Sequence, residues 1–427
     1  MAAGLTRDEL RRRAVLATLV APTTLSRALS ALGFVQADPI RSPARAQDLI
    51  LRQRVANYRA GDLERRYARL DIEEDFLYAY GFMPSGIARL LHPRTDARGG
   101  PHRPTGLAAK VLAFVHERGS VHPQDLMAHF GRERAVNGWG GFSQATTRAL
   151  QSLHFHGLLR VAQRRDGIRI YEGAPAREAV LDPDERSRRL LLLLARILAP
   201  LPEKSLRPAL ALLSRGVPGL PGIYAAAQAL MRSGELESGE VDGERYLWPA
   251  ETVNFAREVK RRLRFLAPFD PVVWDRRRFA HLFGWEYRFE AYTPDAKRRL
   301  GYYAMPLLFV DRVIGWVNVR AAPGRLEVEP GFVGTPPKGR DFRRAFDAEM
   351  ARMQAFLATK RKADLASGRP FKQAQGPTSS PSSAHAAGWP GRKREHCGDR
   401  RERQARAAIH SFGPRFEYSL YSLLVFS

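Results

Sequence analysis

The sequence predicts an α+β protein in which tandem winged-helix (helix-turn-helix) domains are followed by a small antiparallel β domain. Three observations support this fold class. Residues 105–172 carry three helical patterns followed by two alternating strands. The same pattern recurs further along the chain, and short strand-like segments dominate residues 262–335. We expect domains at 1–103, 104–180, 185–255 and 262–360, with a low-complexity tail at 361–427.

The N-terminal region is predicted to be an altered winged-helix-like domain. Thr6-Arg7-Asp8-Glu9 is a capping box before one helix, and Leu25 to Leu32 form a second helix. An extended segment, Gln36-Ala37-Asp38-Pro39, and a long basic helical stretch then occupy the position of a wing. Because Pro39 keeps the preceding residue extended, Gln36 and Asp38 should point to the same side of the chain.

Residues 104–180 give the clearest winged-helix signal, since three helices that end at glycines precede a hairpin. The helices end at Gly119, extend from Pro123 to Gly131, and extend from an N-cap at Ser143 to Gly157. The dipeptide Asp166-Gly167 between two alternating strands is a strong hairpin signal.

Residues 185–255 repeat this pattern. Helices are predicted at 187–198, 205–213 and 225–231. Gly234 and Asp242-Gly243 occupy the positions that Gly157 and Asp166-Gly167 have in the first copy. The hairpin of this copy carries three glutamates, so it is predicted to pack within the protein rather than to contact DNA.

Residues 262–360 are predicted to form the β domain. Strands are expected at 287–292, 305–310, 313–319 and 325–329, with Asp311-Arg312 as a tight connection. Apolar residues at helical spacing predict a closing amphipathic helix from Phe342 to Leu357. The tail at 361–427 is rich in Ser, Pro, Gly and Arg, and it is predicted to be disordered.

The charge of the chain indicates its partner class. The formal net charge is +25, and most of it lies before residue 361, which favours a polyanion and above all nucleic acid. Non-specific binding to ribosomes or to an anionic membrane would fit the charge alone about as well. A single cysteine, Cys397, rules out an intrachain disulfide and a Cys-rich zinc site. The sequence shows neither a signal peptide nor a membrane-spanning apolar run. We therefore expect a cytoplasmic, nucleoid-associated protein without membrane contact.

Gln36 and Asp38 are the candidate catalytic residues. A carboxylate beside an amide can orient and activate one water next to a polyanion, although an isolated pair of this kind is more often a solvated turn. The candidate DNA-binding residues are basic and lie in three groups: Arg41, Arg45, Arg52 and Arg54; Arg164 and Arg165; and Lys297, Arg298 and Arg299. A solvated surface is the alternative for the second and third groups.

Other conspicuous residues receive simpler interpretations. Trp274 with Asp275-Arg276 is interpreted mainly as a packing corner of the β domain. His154 and His156 have no partner at ligand spacing, so no metal site is predicted. The chain contains neither a P-loop nor a dinucleotide fingerprint.

Three blocks of sequence carry a family resemblance. They are Leu32-Gly33-Phe34-Val35-Gln36-Ala37-Asp38, the stretch Leu266-Ala267-Pro268-Phe269-Asp270-Pro271-Val272-Val273-Trp274-Asp275-Arg276-Arg277-Arg278, and the stretch from Tyr292 through Lys297-Arg298-Arg299-Leu300-Gly301-Tyr302-Tyr303. Together they resemble the bacterial winged-helix DNA glycosylases of the AlkZ and AlkX (YcaQ) type, over roughly residues 5–360. Two positions depart from the pattern: Gln47-Asp48 stand where a His pair follows the arginine, and Glu74 to Tyr80 do not match.

The resemblance implies a fold, a reaction and a site. It implies tandem winged helices with a C-terminal β domain, and the removal of alkylated purines from double-stranded DNA. Some family members also unhook interstrand crosslinks joined through guanine N7. Catalysis in the family is assigned to a Gln-x-Gln or Gln-x-Asp pair, which would correspond to Gln36 and Asp38, without metal, nucleotide or redox cofactor. The Gln-x-Asp form points to the AlkX-like branch. We expect a monomer that acts on alkylated or crosslinked duplexes.

Two functional classes remain open at this point: a monofunctional DNA glycosylase, and a non-catalytic winged-helix DNA-binding protein or transcriptional regulator. The surroundings of Asp38 distinguish them. A glycosylase should place this carboxylate in a basic concave channel, whereas in a simple binder it would cap a helix.

Overall fold

The computed structural model describes residues 5–358, except for 20–21, 96–101, 137–141, 176–180, 221, 251–257 and 323–324. The predicted disorder at 361–427 therefore lies outside the described residues. Within them the protein is a mixture of helices and small antiparallel sheets. No helix in these ranges is long and apolar enough to cross a membrane.

The N-terminal part combines short helices with a three-stranded sheet. Its elements are α1 (Arg7–Thr18), α2 (Leu25–Leu32), β1 (Val35–Gln36), α3 (Ala46–Leu51), α4 (Asp62–Arg66), β2 (Ile72–Phe76), β3 (Tyr80–Pro84) and α5 (Ser85–Leu90). The strand order is β1-β3-β2, with all pairs antiparallel. The capping box is confirmed, since Glu9 accepts from the Thr6 backbone N–H at 2.7 Å and the Thr6 hydroxyl accepts from the Glu9 N–H at 3.2 Å.

The prediction of a long basic helical stretch after the Gln36–Asp38 segment is wrong. The helix α3 ends at Leu51, and Asn57 and Gly61 then adopt left-handed φ values of 53° and 84°, which a continuing helix excludes. The hairpin β2–β3 that follows was not predicted. Its first strand contains Glu73-Glu74-Asp75, and such residues are depleted in strands unless other parts of the fold pair their charges.

The second part has the order helix–strand–helix–helix–hairpin. Its elements are α6 (Gly106–Arg118), β4 (Ser120–Val121), α7 (Pro123–Phe130), β5 (Arg134–Val136), β6 (Phe142–Gln144), α8 (Ala145–Phe155), β7 (Leu159–Arg165) and β8 (Ile168–Gly173). The sheet order is β4-β8-β7. The three predicted helices and the hairpin are present, but Ser143 is not the N-cap. It lies in β6 opposite Ala135, and Gln144 precedes the helix.

The third part repeats that order. Its elements are α9 (Pro183–Ile197), β9 (Leu201–Pro202), α10 (Glu203–Gly216), α11 (Ile223–Arg232), β10 (Leu236–Val241) and β11 (Glu244–Pro249). The sheet order is β10-β11-β9. Both hairpins turn through an Asp-Gly pair with positive φ at each residue, 52° and 83° at Asp166-Gly167 and 54° and 74° at Asp242-Gly243. The internal repeat predicted from the sequence is therefore present in the described chain.

The C-terminal part is a four-stranded antiparallel sheet with a closing helix. Its elements are β12 (Leu263–Phe265), α12 (Pro271–Trp274), α13 (Arg276–Phe283), β13 (Met305–Phe309), β14 (Arg312–Ala322), β15 (Arg325–Phe332) and α14 (Arg340–Leu357). The strand order is β12-β13-β14-β15. The tight connection is Val310-Asp311, one residue earlier than predicted, because Phe309 pairs with Arg312.

The strand predicted at 287–292 is wrong. These residues have no regular secondary structure. Their alternation instead comes from aromatic packing, since the Tyr287 hydroxyl donates to the Ala304 carbonyl at 2.7 Å and the Phe289 ring contacts Phe269 with centroids 5.2 Å apart. The Glu290 carboxylate accepts from the backbone N–H groups of Arg299 and Leu300 at 2.9 and 2.7 Å, so the segment is held by a carboxylate rather than by strand pairing.

The core explains where the Gln36 strand lies. Phe34 belongs to an apolar cluster with α9, α10 and α11, whereas Val35 belongs to the large cluster shared with the second part and the β domain. Successive residues of a strand face opposite sides, so the segment lies between the two cores. This anchoring fixes the backbone that carries Gln36 and Asp38.

Candidate active site

A cavity of about 590 Å³ opens beside the Gln36–Asp38 segment. Three regions supply its walls: the N-terminal segment with the residues around Tyr80, the second part of the chain, and two aromatic residues of the β domain. The lining residues are Gln36, Ala37, Asp38, Pro39, Arg41, Arg45, Gln47, Tyr78, Ala79, Tyr80, Pro123, Thr147, Leu150, Gln151, Arg164, Gly167, Ile168, Arg169, Tyr171, Phe269 and Tyr292.

Asp38 is a buried carboxylate in this wall, with 5% of the residue exposed. Its Oδ1 accepts from the Ile40 backbone N–H at 2.8 Å, and its own N–H donates to Gln47 Oε1 at 3.4 Å. Burial raises the pKa of Asp38 from 3.8 to about 6, although the Ile40 N–H acts in the opposite direction. The group is therefore mostly ionised at neutral pH, yet it is basic enough to accept a proton.

Gln36 is held by its backbone and its side chain. It pairs with Gly81 in the β1–β3 ladder, and its Oε1 accepts from the Trp274 indole N–H at 3.1 Å. A Cβ on Gly81 would lie 2.4 Å from the Val35 carbonyl oxygen and 2.5 Å from the Phe34 ring, so only glycine allows this close strand approach.

Four arginines line the same cavity: Arg41, Arg45, Arg164 and Arg169. Arg45 pairs with Glu64, yet burial and the neighbouring guanidinium groups of Arg41 and Arg164 lower its pKa to about 10. The guanidinium groups of Arg41, Arg45 and Arg164 are thus close enough to repel one another. A polyanion that enters the cavity would offset this repulsion.

Glu74 holds two of these arginines in place. Its carboxylate accepts from Arg164 Nε at 2.9 and 3.1 Å and from the Tyr80 hydroxyl at 3.0 Å, and Arg169 Nε lies 3.6 Å away. Burial alone would raise the pKa of Glu74, but Arg164 and Arg169 outweigh burial and lower it. The Arg169 guanidinium also lies over the Tyr80 ring at 4.1 Å.

The β7–β8 hairpin packs against the N-terminal part. A Cβ on Gly167 would lie 1.9 Å from Arg45 Nη2 and 3.0 Å from Arg41 Nη2, so the turn sits directly on these guanidinium groups. The Arg164 side chain is only 9% exposed and lies in the cavity wall. Arg164 is therefore part of the cavity wall and not of an exposed, solvated turn. Arg165 is exposed and does not line the cavity.

Arg52 and Arg54, both predicted to bind DNA, have structural roles instead. Arg54 is fully buried, and its two terminal nitrogens donate to the two carboxylate oxygens of Asp270 at 2.7 and 2.9 Å. Arg52 is 7% exposed and donates to Glu349 at 2.8 Å. Both predictions are corrected, because a buried guanidinium that pairs with a buried carboxylate cannot reach a phosphate.

The third basic group lies apart from the cavity lining. Lys297 and Arg299 are exposed. Arg298 donates to the Thr293 carbonyl at 2.8 Å, pairs with Asp295, and lies 5.1 Å from the Tyr302 ring centre. The exposed members of this group are available to a phosphate, whereas Arg298 is largely occupied within the protein.

Sequence reasoning missed several cavity residues, above all Tyr78, Tyr80, Arg169 and Phe269. Tyr78 and Tyr80 have the same alternate spacing as Gln36 and Asp38, but that signal alone does not distinguish a site wall from a core. Phe269 lies in the second block of the family resemblance, which by itself does not indicate a place in the site. Its place in the wall depends on how the β domain packs against the rest of the chain.

Trp274 was interpreted mainly as a packing residue, and that interpretation is incomplete. Its ring does pack edge-on against Tyr78, with centroids 5.0 Å apart and an interplanar angle of 75°. The hydrogen bond from its indole to Gln36 also connects it with the candidate site. His154, by contrast, is buried against Tyr80 and Tyr171, and burial lowers its pKa. The described residues contain no group of three His, Cys, Asp or Glu side chains placed to hold a metal ion.

The arrangement places a carboxylate, an amide and several guanidinium groups in one concave wall. Asp38 does not cap a helix; its carboxylate faces the turn at Ile40 and lines the basic cavity. Among the two possibilities raised by the sequence, this geometry is the one expected of a glycosylase.

Comparisons with known proteins agree with this geometry. The sequence model of the family described as DNA glycosylase AlkZ-like matches residues 29–356. Among solved structures, the Streptomyces sahachiroi DNA glycosylase AlkZ is similar with a TM-score of 0.56 and 16% sequence identity, over 83% of this chain and 97% of that chain. At this identity, the structural similarity establishes a shared fold.

Proposed function

The chain belongs to the AlkZ-like DNA glycosylase family, and we propose that its substrates are alkylated purines, with N7-alkylguanine in double-stranded DNA as the main class. One observation carries the proposal: Gln36 and Asp38 line one basic cavity together with Arg41, Arg45 and Arg164. An alkylated guanine is already cationic, so it can leave without a general acid. The protein then needs only to bind the nucleotide and to direct a water.

The proposed reaction is hydrolysis of the glycosidic bond. Asp38 accepts one proton of the water, whose oxygen forms a bond to C1′ of the sugar. The bond between C1′ and N9 breaks, and its electron pair returns to the base and neutralises the positive charge. The Asp38 carboxylate also stabilises the oxocarbenium character of the sugar in the transition state. Gln36 holds the water.

The proposed DNA contacts come from the cavity arginines and from its aromatic residues. Arg41, Arg45 and Arg169 would contact phosphates beside the target nucleotide. Tyr78, Tyr80, Phe269 and Tyr292 offer ring faces to a base extruded from the duplex. The exposed Arg165, Lys297 and Arg299 would contact phosphates further along the duplex.

We further propose that the two parts with the order helix–strand–helix–helix–hairpin are winged helices. Their sheet orders, β4-β8-β7 and β10-β11-β9, support this, because in each case a short strand joins the hairpin. The domain boundaries at 104–180 and 185–255 follow from this proposal, with 1–103 as the altered N-terminal copy and 262–360 as the β domain. Interstrand crosslinks joined through guanine N7 are proposed as a second substrate, handled by a monomer.

Base release from defined duplexes tests the proposed substrates. Purified protein is incubated with duplexes that carry a single N7-methylguanine, a nitrogen-mustard crosslink or no damage, and abasic sites are quantified by alkaline cleavage. We expect release from the N7-methylguanine duplex and none from undamaged DNA. Tight binding of all three duplexes with no base release would contradict the proposal and would favour a binding role.

A further inference from the structure

Trp274 contacts Gln36 from outside the cavity. The indole nitrogen lies 3.1 Å from Gln36 Oε1, and Trp274 is not among the residues that line the cavity. An indole N–H can only donate a hydrogen bond, so its partner must be the amide oxygen and not the amide nitrogen. This contact therefore determines the orientation of the Gln36 amide, which is otherwise ambiguous for a glutamine.

We propose that Trp274 is a positioning residue that makes Gln36 a hydrogen-bond donor to the attacking water. The inference rests on the proposed function and concerns the same site. With Oε1 engaged by the indole, the Gln36 Nε2 group is left to face the cavity. A glutamine without this contact could present either its oxygen or its nitrogen to the water.

Trp274 is well fixed for this role. The residue is 9% exposed, its ring packs edge-on against Tyr78, and Tyr78 packs against Phe34 with centroids 4.9 Å apart. Trp274 ends α12, whose N-cap Asp270 accepts from the Val272 N–H at 3.1 Å.

The buried Arg54–Asp270 ion pair anchors the same short helix. Arg54, predicted to bind DNA, thus acts on the site indirectly, because it holds the helix whose last residue orients Gln36. Asp275, the next residue after Trp274, caps α13 by accepting from the Arg278 N–H at 2.7 Å. Trp274 therefore lies between the N-cap of α12 and the N-cap of α13, and both N-cap side chains accept a backbone hydrogen bond.

The donor role fits the geometry that hydrolysis needs. A water that accepts a hydrogen bond from Gln36 uses one lone pair for it. The second lone pair is then available to C1′, and one O–H can point to Asp38. If Gln36 accepted a hydrogen bond instead, it would engage the second proton of the water and would leave undetermined which lone pair points to C1′. Trp274 thus prevents the Gln36 amide from adopting the unproductive orientation.

The test is a double-mutant cycle on single-turnover excision of N7-methylguanine. Trp274→Phe keeps an aromatic ring but removes the N–H, and we expect it to lower the rate constant by about 3- to 10-fold with unchanged affinity for DNA. In a Gln36→Ala background the same substitution should change the rate by less than about 2-fold, since the group that it orients is gone. Equal losses in both backgrounds would mean that Trp274 only packs, and would overturn the inference.

A control variant separates loss of an indole from loss of this contact. Trp285→Phe removes an indole that stacks on Trp316, with centroids 5.8 Å apart, and that does not line the cavity. We expect wild-type excision from it. A rate loss in Trp285→Phe as large as that in Trp274→Phe would contradict the specific role of Trp274.

A second variant tests the donor role with Trp274 intact, so the inference stays testable even if Trp274→Phe does not fold. Gln36→Glu keeps an oxygen for the indole but has no N–H for the water. Measured at pH 9, so that a second carboxylate next to Asp38 does not keep it protonated, the variant should lose at least as much activity as Gln36→Ala. Wild-type activity in Gln36→Glu would overturn the inference. The proposed function fails separately, through absence of excision by the wild-type protein.

Discussion

At the scale of single residues, the candidate site depends on one buried carboxylate, that of Asp38. Asp38 is buried with one backbone N–H on its carboxylate, and no cation pairs with it among the described residues. Such a carboxylate costs stability when it is ionised, and in return it is a better base than an exposed aspartate.

The excision rate should depend on the ionisation of Asp38. Because burial raises the pKa of Asp38 to about 6, the active, ionised form should disappear as pH falls through that value. Single-turnover rate constants should therefore increase between about pH 5 and 7 and level off above. A rate that is flat across this range, for a duplex with N7-methylguanine, would contradict the assignment of Asp38 as the base.

Asp38→Asn should also stabilise the protein. The folded-state pKa lies above the ordinary value of 3.8, so the folded state binds the proton more tightly and loses stability as pH rises from about 4 through 6. An uncharged amide avoids this loss. We expect the free energy of unfolding to increase by about 1–3 kcal/mol at pH 8, with no gain below about pH 4. Urea denaturation at both pH values measures the difference; a gain that is the same at both would contradict the explanation.

The sequence predicted only part of this residue-level picture. Gln36 and Asp38 were predicted because their spacing is local. Arg52 and Arg54 were wrongly predicted because sequence shows charge but not pairing, and their partners Glu349 and Asp270 lie more than 200 residues away, with separations of 297 and 216. The distinction between a phosphate-binding arginine and a buried structural arginine is made by tertiary packing.

At the scale of elements, the β7–β8 hairpin forms part of the site instead of projecting into solvent. Its turn rests on Arg41 and Arg45, and its Arg164 pairs with Glu74 of β2. The helices and both Asp-Gly hairpins of the repeat were predicted correctly because caps and turns are local signals. The hairpin β2–β3 was missed because its acidic residues become favourable in a strand only after remote arginines pair with them.

The turn of this hairpin can be tested with a matched pair of substitutions. Gly167→Ala places a Cβ against Arg45, whereas Gly243→Ala in the equivalent turn meets no atom within 4 Å. Both residues have positive φ, so both variants should lose about 1 kcal/mol of stability from backbone strain. Only Gly167→Ala should also weaken binding to the damaged duplex, because it displaces Arg45. Equal DNA affinity of the two variants, by fluorescence anisotropy, would contradict this role of the hairpin.

At the scale of the whole molecule, positive charge exceeds negative charge, and four arginines line the cavity. The formal net charge of +25 predicts that binding to any duplex weakens steeply with salt. Arg41→Ala should make the plot of the logarithm of the DNA-binding constant against the logarithm of the salt concentration less steep by about 1, since each phosphate contact contributes about 0.9 to that slope. Arg261→Ala is the control, because that exposed arginine pairs with Asp341 away from the cavity lining. Equal slopes for wild type and Arg41→Ala would exclude Arg41 as a phosphate contact.

The whole-molecule arrangement was the part that the sequence predicted least. The order of the parts and the β domain with its closing helix follow from local patterns. The convergence of the N-terminal segment, the β7–β8 hairpin and the aromatic residues Phe269 and Tyr292 on one cavity does not, because it depends on packing between distant segments. The wrong prediction of a strand at 287–292 has the same cause, because the alternating aromatic residues there pack against distant parts of the chain in an irregular segment.

The central claim is that Asp38 activates water for base excision, and Asp38→Asn tests it most directly. The substitution keeps the size of the side chain and an oxygen that can accept from the Ile40 N–H, but it removes the charge and the proton-accepting group. In single-turnover excision of N7-methylguanine at pH 8, we predict a rate about 10²- to 10⁴-fold below wild type, with affinity for the duplex nearly unchanged. Excision by Asp38→Asn at the wild-type rate would contradict the account.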